Sequence, residues 1–258
     1  MNKKYFFNLF PNEDEFLIAS IWEDLSLCLE IDYPVYGSIF LPPQIWTKLH
    51  DVCESINLDV LTLGLTPYSE KQLVIFTPKN FNFSHLEEVV TYFKIDASNK
   101  FKILYHKDFL GTIMGLGLKR ETLGDIIVKD NIGYCIATND IFNIIKNNLE
   151  QINTIPIKIS TISTSQVPQL EFKEITDTVS SFRLDSIIAS IANSSRNIST
   201  NLIESGDVLV NYNTEKSKNK IVNIGSVITI RKKGKFILEK NLGENKKGKF
   251  KILIKQYI

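Results

Sequence analysis

Between residues 100 and 162 short apolar runs alternate with stretches of helical periodicity in a fixed order. The runs are KFKILY (100–105), DIIVK (125–129), IGYCIA (132–137) and IPIKISTI (155–162), and the helical stretches are 107–118 and 139–150. Strand, helix, strand, strand, helix, strand is the split βαβ arrangement, the RRM/ferredoxin-like topology. Asp130 and Asn131, between the two central runs, suit a tight hairpin turn. This order fixes the middle of the chain as a small α+β domain, but a fold order alone licenses no function.

Apolar spacing places further elements before it. Asn12 with Glu15 reads as a helix N-cap and its reciprocal acid, and Phe16, Leu17, Ile21, Trp22, Leu25 and Cys28 recur at helical intervals, predicting a helix from about Glu13 to Glu30. Pro42 and Pro43 open a second helix with Ile45, Leu49, Val52 and Ile56 on one face. LDVLTLG and KQLVIFT then flank a Pro67-containing turn as a hairpin. After the middle segment, the polar stretch from Ser163 reads as a linker. Two short helical patterns follow, RLDSIIASIA and SSRNISTNLIES, with Ser194 as N-cap and Gly206 as stop. Four short β runs between Gly- and Lys-rich turns complete the chain. The expectation is an α+β protein of three small domains: an N-terminal α+β unit (1–80), the central split βαβ domain (81–163), a linker (164–180) and a C-terminal domain (181–258).

Charge separates these parts. Residues 183–258 hold 15 Lys and Arg against six acids (15 − 6 = +9), while residues 1–182 carry −8. A polyanion partner for the tail follows from this asymmetry, with a solvated lysine-rich face as the alternative. Cys28, Cys53 and Cys135 are odd in number, widely spaced and set among apolar residues, so they are expected in the core of a protein kept in a reducing cytoplasm. No stretch reaches the roughly 18 to 20 apolar residues of a membrane helix, and the N-terminal apolar stretch is interrupted by Pro11 and an acidic run, which argues against a signal peptide and against membrane insertion. His50 and His85 stand alone, so no metal set or cofactor is expected, and no small-molecule substrate is evident.

Two motifs carry a resemblance. TVSSFRLDSIIASIANSSRNISTNLIESGDVLVN, followed by a glycine turn, a basic strand and KKGKFKILIK, resembles the alpha-L RNA-binding domain first described in a small-subunit ribosomal protein. HKDFLGTIMGLGLKRETLGDI (106–126) resembles the central motif of the YlmH family, HRDxLGALxGLGxKRExxGDI. The two lie in the family's order and cover most of residues 100–258. The sequence departs from the pattern at Gly225 and Ser226, where Gly-Asp is common, and at Lys232 and Lys233, where a Gly-bearing turn is usual. The resemblance implies a bacterial, cytoplasmic, non-catalytic protein, expected as a monomer, that binds rRNA and peptidyl-tRNA on the large ribosomal subunit in quality control of stalled translation. An rRNA-modifying enzyme and a cell-division adaptor are the alternatives.

The residues point to the same contacts. Arg183 at the first helix entrance and Ser195 and Arg196 at the second set donors where helix amino ends favour anions, although Arg183 could instead pair with Asp185. Arg231, Lys232, Lys233 and Lys235 crowd one strand and turn, and Lys246, Lys247 and Lys249 another. In the central motif His106, Lys107, Lys119 and Arg120 are the candidate RNA contacts. The glycines are expected to let the helix pack closely, with Lys119 and Arg120 either meeting phosphate or capping the helix end. His106 with Asp108 could be drawn as an acid/base pair, but no nucleophile or orienting group accompanies them. Few aromatic residues interleave with the basic tail, which favours shape and phosphate recognition of folded RNA over base stacking.

Overall fold

The structure is a computed structural model that describes residues 1–81, 89–99 and 102–258. It divides into two compact units, Met1–Gln169 and Leu170–Ile258, both built of mixed helix and sheet.

The first unit opens with α1 (Lys3–Asn8), α2 (Glu15–Ile31), β1 (Val35–Leu41), α3 (Pro43–Glu54), β2 (Leu58–Leu63) and β3 (Gln72–Pro78). Asp14, not Asn12, caps α2: its Oδ1 accepts from Leu17 N at 2.8 Å. The expected β2–β3 hairpin pairs over Leu58↔Pro78 to Leu63↔Leu73, and β1, which the apolar spacing did not reveal, adds to the other side of β3. The helices cover this three-stranded sheet through Phe6, Ile18, Leu25, Ile45, Leu49 and Phe76.

The chain continues through β4 (Val90–Asp96), α4 (His106–Met114), β5 (Leu123–Lys129), β6 (Ile132–Thr138), α5 (Asn139–Asn148), a two-residue hairpin of β7 (Gln151–Ile152) and β8 (Ile155–Pro156), and β9 (Lys158–Thr161). The sheet order β5-β6-β4-β9, all antiparallel, is the split βαβ topology. Its first strand is not the expected run at 100–105. Lys100 and Phe101 of that run, like His85, lie outside the described residues. Residues 102–105 form a loop clamped by the Asn131 side chain, which accepts from Leu104 N at 2.7 Å and donates to Lys102 O at 2.7 Å. The strand is VTYFKID, whose Val90, Phe93 and Ile95 are buried. Asp130 and Asn131 turn with φ of 52° and 60°, the two left-handed positions of a tight hairpin turn.

Residue 80 does not separate two units. Phe40, Leu65 and Leu73 share one buried cluster with Val90, Ile136 and Val167, so the first two expected domains form one body. Gly124 marks the contact: a Cβ there would meet Ile136 Cγ2 at 2.4 Å and the Phe40 ring at 3.1 Å.

The second unit comprises β10 (Phe172–Val179), α6 (Leu184–Ile191), α7 (Arg196–Glu204), β11 (Val208–Val210), β12 (Asn213–Thr214), β13 (Val227–Ile230), β14 (Gly234–Glu244) and β15 (Phe250–Tyr257). The sheet order is β10-β15-β14-β13-β11-β12. The stretch expected as a linker (164–180) instead contains a strand: β10 pairs with β15 over eight residues, from Phe172↔Tyr257 to Val179↔Phe250. It reads as a linker because an edge strand leaves one edge and one face to solvent, so its composition is polar. Both helices pack on the sheet through Leu184, Ile187, Ile203, Ile228, Leu238, Ile252 and Ile254. Cys28, Cys53 and Cys135 are free and buried.

Candidate nucleic-acid interface

The second unit presents its basic side chains at the helix ends and turns around α6 and α7. Ser195 caps α7, its Oγ accepting from Ile198 N at 3.4 Å, whereas the expected cap Ser194 turns its hydroxyl to Ser199 Oγ at 3.3 Å. Arg196 follows at the first helical position and donates to Ser180 Oγ. Beside it lies an open groove of about 270 Å³ between α6, α7 and the end of β10. Its lining includes Ser180, Ser186, Ser190, Asp177, Arg196 and Lys249. Arg196 and Lys249, over fifty residues apart in sequence, thus face one hydroxyl-lined hollow at a helix amino end, where they outnumber the one carboxylate, Asp177, which takes the Ser190 hydroxyl at 2.5 Å.

Arg183 takes the alternative course. Its guanidinium is bidentate to Asp185, Nε to Oδ1 at 3.1 Å and Nη2 to Oδ2 at 3.0 Å. Burial pushes the Asp185 carboxyl up, but the Arg183 hydrogen bond and charge, with the Arg196 charge and the Ser186 amide, hold it below the ordinary range. The pair leaves Arg183 partly exposed at 41%, so one edge of the guanidinium still faces solvent.

The remaining cations sit on turns. Arg231 lies 3.7 Å from Asp207. Lys232 holds φ at 64°, a left-handed position that glycine adopts most readily. Lys233 Nζ reaches the Ala192 carbonyl at 3.4 Å, over the end of α6. Lys246, Lys247 and Lys249 surround the β14–β15 turn, where Asn245 Oδ1 accepts from the amides of Lys247 (2.9 Å) and Lys249 (3.1 Å). Lys235 departs from the set: its ammonium lies over the Tyr212 and Tyr257 rings at 5.2 and 5.3 Å, and burial pulls it below the ordinary lysine value. Sequence reasoning missed the serines of the groove. Ser180 lies in the TVSS segment, whose polar composition reads as linker, and Ser186 and Ser190 lie on α6 between its apolar positions.

The central motif splits in two. His106, Lys107 and Lys119 are exposed around α4. Arg120 turns inward, its Nη1 donating to Leu123 O at 2.6 Å and Gly124 O at 3.1 Å. Next to it Asp125 accepts from Glu70 N at 2.7 Å and Lys71 N at 3.3 Å, with its carboxyl raised by burial. Asp108 caps its own helix, accepting from Tyr105 N at 2.8 Å and Asn153 Nδ2 at 3.1 Å. These bonds hold it below the ordinary range, so it is a poor partner for His106 in acid/base work. The expected close packing at the motif's glycines is not found at Gly111, where a Cβ would meet nothing within 4 Å. Gly115 caps α4, and Gly117, at φ 81°, turns the chain just beyond it. Among the described residues no group of His, Cys, Asp and Glu could hold a metal, and no helix is long and apolar enough to cross a membrane.

Comparison with known proteins bears on both units. Residues 84–166 match the family model "Putative RNA-binding domain in YlmH". The resemblance is to the YlmH family. It extends beyond that YlmH segment, since the "Ribosome-associated protein quality control protein P2" of Bacillus subtilis (strain 168) is 28% identical over 215 residues, covering 83% of this chain and 84% of that protein. A solved structure described as cell division protein ylmH from Streptococcus pneumoniae is 23% identical with a TM-score of 0.49, covering 59% of this chain and 93% of that one.

Proposed function

We propose that the protein is a non-catalytic RNA-binding protein that docks on the large ribosomal subunit, contacts rRNA and peptidyl-tRNA, and serves quality control of stalled translation in the bacterial cytoplasm. The observation that carries this reading is the groove at the start of α7, which joins Arg196 and Lys249 with the hydroxyls of Ser180 and Ser186 around the Ser190–Asp177 pair. Turn cations Arg231, Lys232, Lys233, Lys246 and Lys247 extend the phosphate-binding surface, with Ser195 at the helix start and the open edge of Arg183 beside it. His106, Lys107 and Lys119 supply a further contact in the first unit, while Arg120 and Lys235 serve the fold. The match of the central segment to an RNA-binding family model and the name of the Bacillus relative support the assignment. The capping role of Asp108 supports the absence of catalysis.

Replacing Arg196, Lys233 and Lys249 by Ala together tests it by co-sedimentation with large ribosomal subunits. The expected result is loss of co-sedimentation with the thermal midpoint retained; undiminished co-sedimentation would sink the proposal. Arg183 is left intact in this variant because its removal strands the buried Asp185 carboxylate. An altered nucleoside profile in rRNA from cells lacking the protein would favour the modifying-enzyme alternative.

A further inference from the structure

Helix α2 buries Ile18, Ile21, Leu25 and Cys28. Its opposite face is not simply polar. Phe16, Ser20, Glu23, Leu27 and Ile31, at intervals of four, three, four and four residues, form one stripe, and every one of them is exposed. Phe16 is 88% exposed, Leu27 45% and Ile31 49%. A single exposed apolar side chain needs no explanation, but three aligned on one helix do.

The surroundings of that stripe are acidic without relief. Residues 13–32 contain seven acids and no Lys, Arg or His, and residues 1–81 hold 11 acids against five Lys and Arg (5 − 11 = −6). None of Glu15, Glu23, Asp24 and Glu30 pairs with a cation among the described residues. The last turn of α2 has no basic residue, and Glu30 and Asp32 sit at the helix end where the macrodipole disfavours them. Asp24 is pushed up to about 6 by burial and then by the Glu23 charge. Such a face repels a phosphate backbone and attracts cations.

We propose that the outer face of α2 docks a lysine- and arginine-bearing amphipathic protein segment, whose apolar side chains cover Phe16, Leu27 and Ile31 while its cations meet Glu23 and Glu30. The surface is separate from the RNA-binding reading and stands without it. It gives the acidic first unit a protein partner, with charge fixing the register and apolar contact supplying affinity.

The test uses the full chain and a synthetic amphipathic peptide of leucine and lysine, with a leucine–glutamate peptide of the same spacing as control, in fluorescence anisotropy at physiological salt. The wild type binds the first and not the second. Phe16→Ser/Leu27→Ser/Ile31→Ser and Glu23→Lys/Glu30→Lys each weaken binding by about tenfold or more, with thermal midpoints held and RNA affinity not reduced. Unchanged peptide binding by the apolar variant would overturn the proposal, since charge alone would then suffice. Binding of both peptides would overturn it as unspecific adhesion. Self-association in sedimentation that the apolar variant abolishes would assign the face to a second copy and overturn it equally.

Discussion

Met1–Gln169 and Leu170–Ile258 are both mixed α+β units, yet the first carries 14 Lys and Arg against 20 acids and the second 16 against nine, net charges of −6 and +7. Their use of charge differs more than their sums. In the first unit Arg120, Asp125 and Lys71 are drawn into the joint between the two sheets, where the carboxylate is shut away with backbone amides and the cations are close by. In the second, one carboxylate, Asp185, is buried and held by Arg183 at the start of α6, and most cations stand on turns and helix ends. A charge placed in a joint holds parts of the chain together, whereas a charge left on a turn remains available to a partner.

Substitutions can break this contrast, and the largest effect is expected at the joint. Asp125→Ala leaves the amides of Glu70 and Lys71 unsatisfied and should destabilise the first unit by about 3 kcal/mol, read by urea denaturation, without altering RNA affinity. Next comes the groove: Arg196→Ala with Lys249→Ala should cost about 2 kcal/mol in RNA binding, roughly thirtyfold, and should reduce the slope of log K against log salt by about two. The folding midpoint should hold. A smaller change is expected at Asp24, whose folded carboxyl titrates near 6 instead of the ordinary 3.8. A raised acid gives its full stability below the unfolded value and loses it as pH rises through the folded one. Asp24→Asn should therefore stabilise the protein by about 1 kcal/mol at pH 7, the partial exposure discounting the full shift, and do nothing near pH 3. Smallest of all, Lys235→Met should change RNA affinity by less than about twofold, because its ammonium lies against Tyr212 and Tyr257.

The helices of the second unit, the β2–β3 hairpin and the Asp130–Asn131 turn were legible because apolar periodicity and turn chemistry are local signals. Strand β10 was not, because an edge strand is polar and its partner β15 lies some eighty residues on. The first strand of the split βαβ sheet was misplaced because KFKILY, like VTYFKID, mixes Tyr, Phe and Ile with Lys, and the Asn131 side chain holds residues 102–105 as a loop. The basic residues of the interface were visible one by one. Which of them would turn inward was not, since Arg120 and Lys235 are satisfied by carbonyls and rings that folding alone brings near. Of the groove serines, Ser180 was hidden with β10, while Ser186 and Ser190 sat in a legible helix whose polar face gave no sign of a groove.

The proposed function places RNA on the basic unit, with a further contact at His106, Lys107 and Lys119, and keeps it off the acidic helix α2. Ultraviolet crosslinking of the protein to RNA in growing cells, with the crosslinked peptides identified by mass spectrometry and the RNA sequenced, tests this directly. We predict crosslinks within residues 193–196, 231–233 and 245–249, and fewer within 106–119, with large-subunit rRNA and tRNA as the attached RNA. Crosslinks centred on residues 15–31, or RNA scattered over transcripts outside the ribosome, would contradict it.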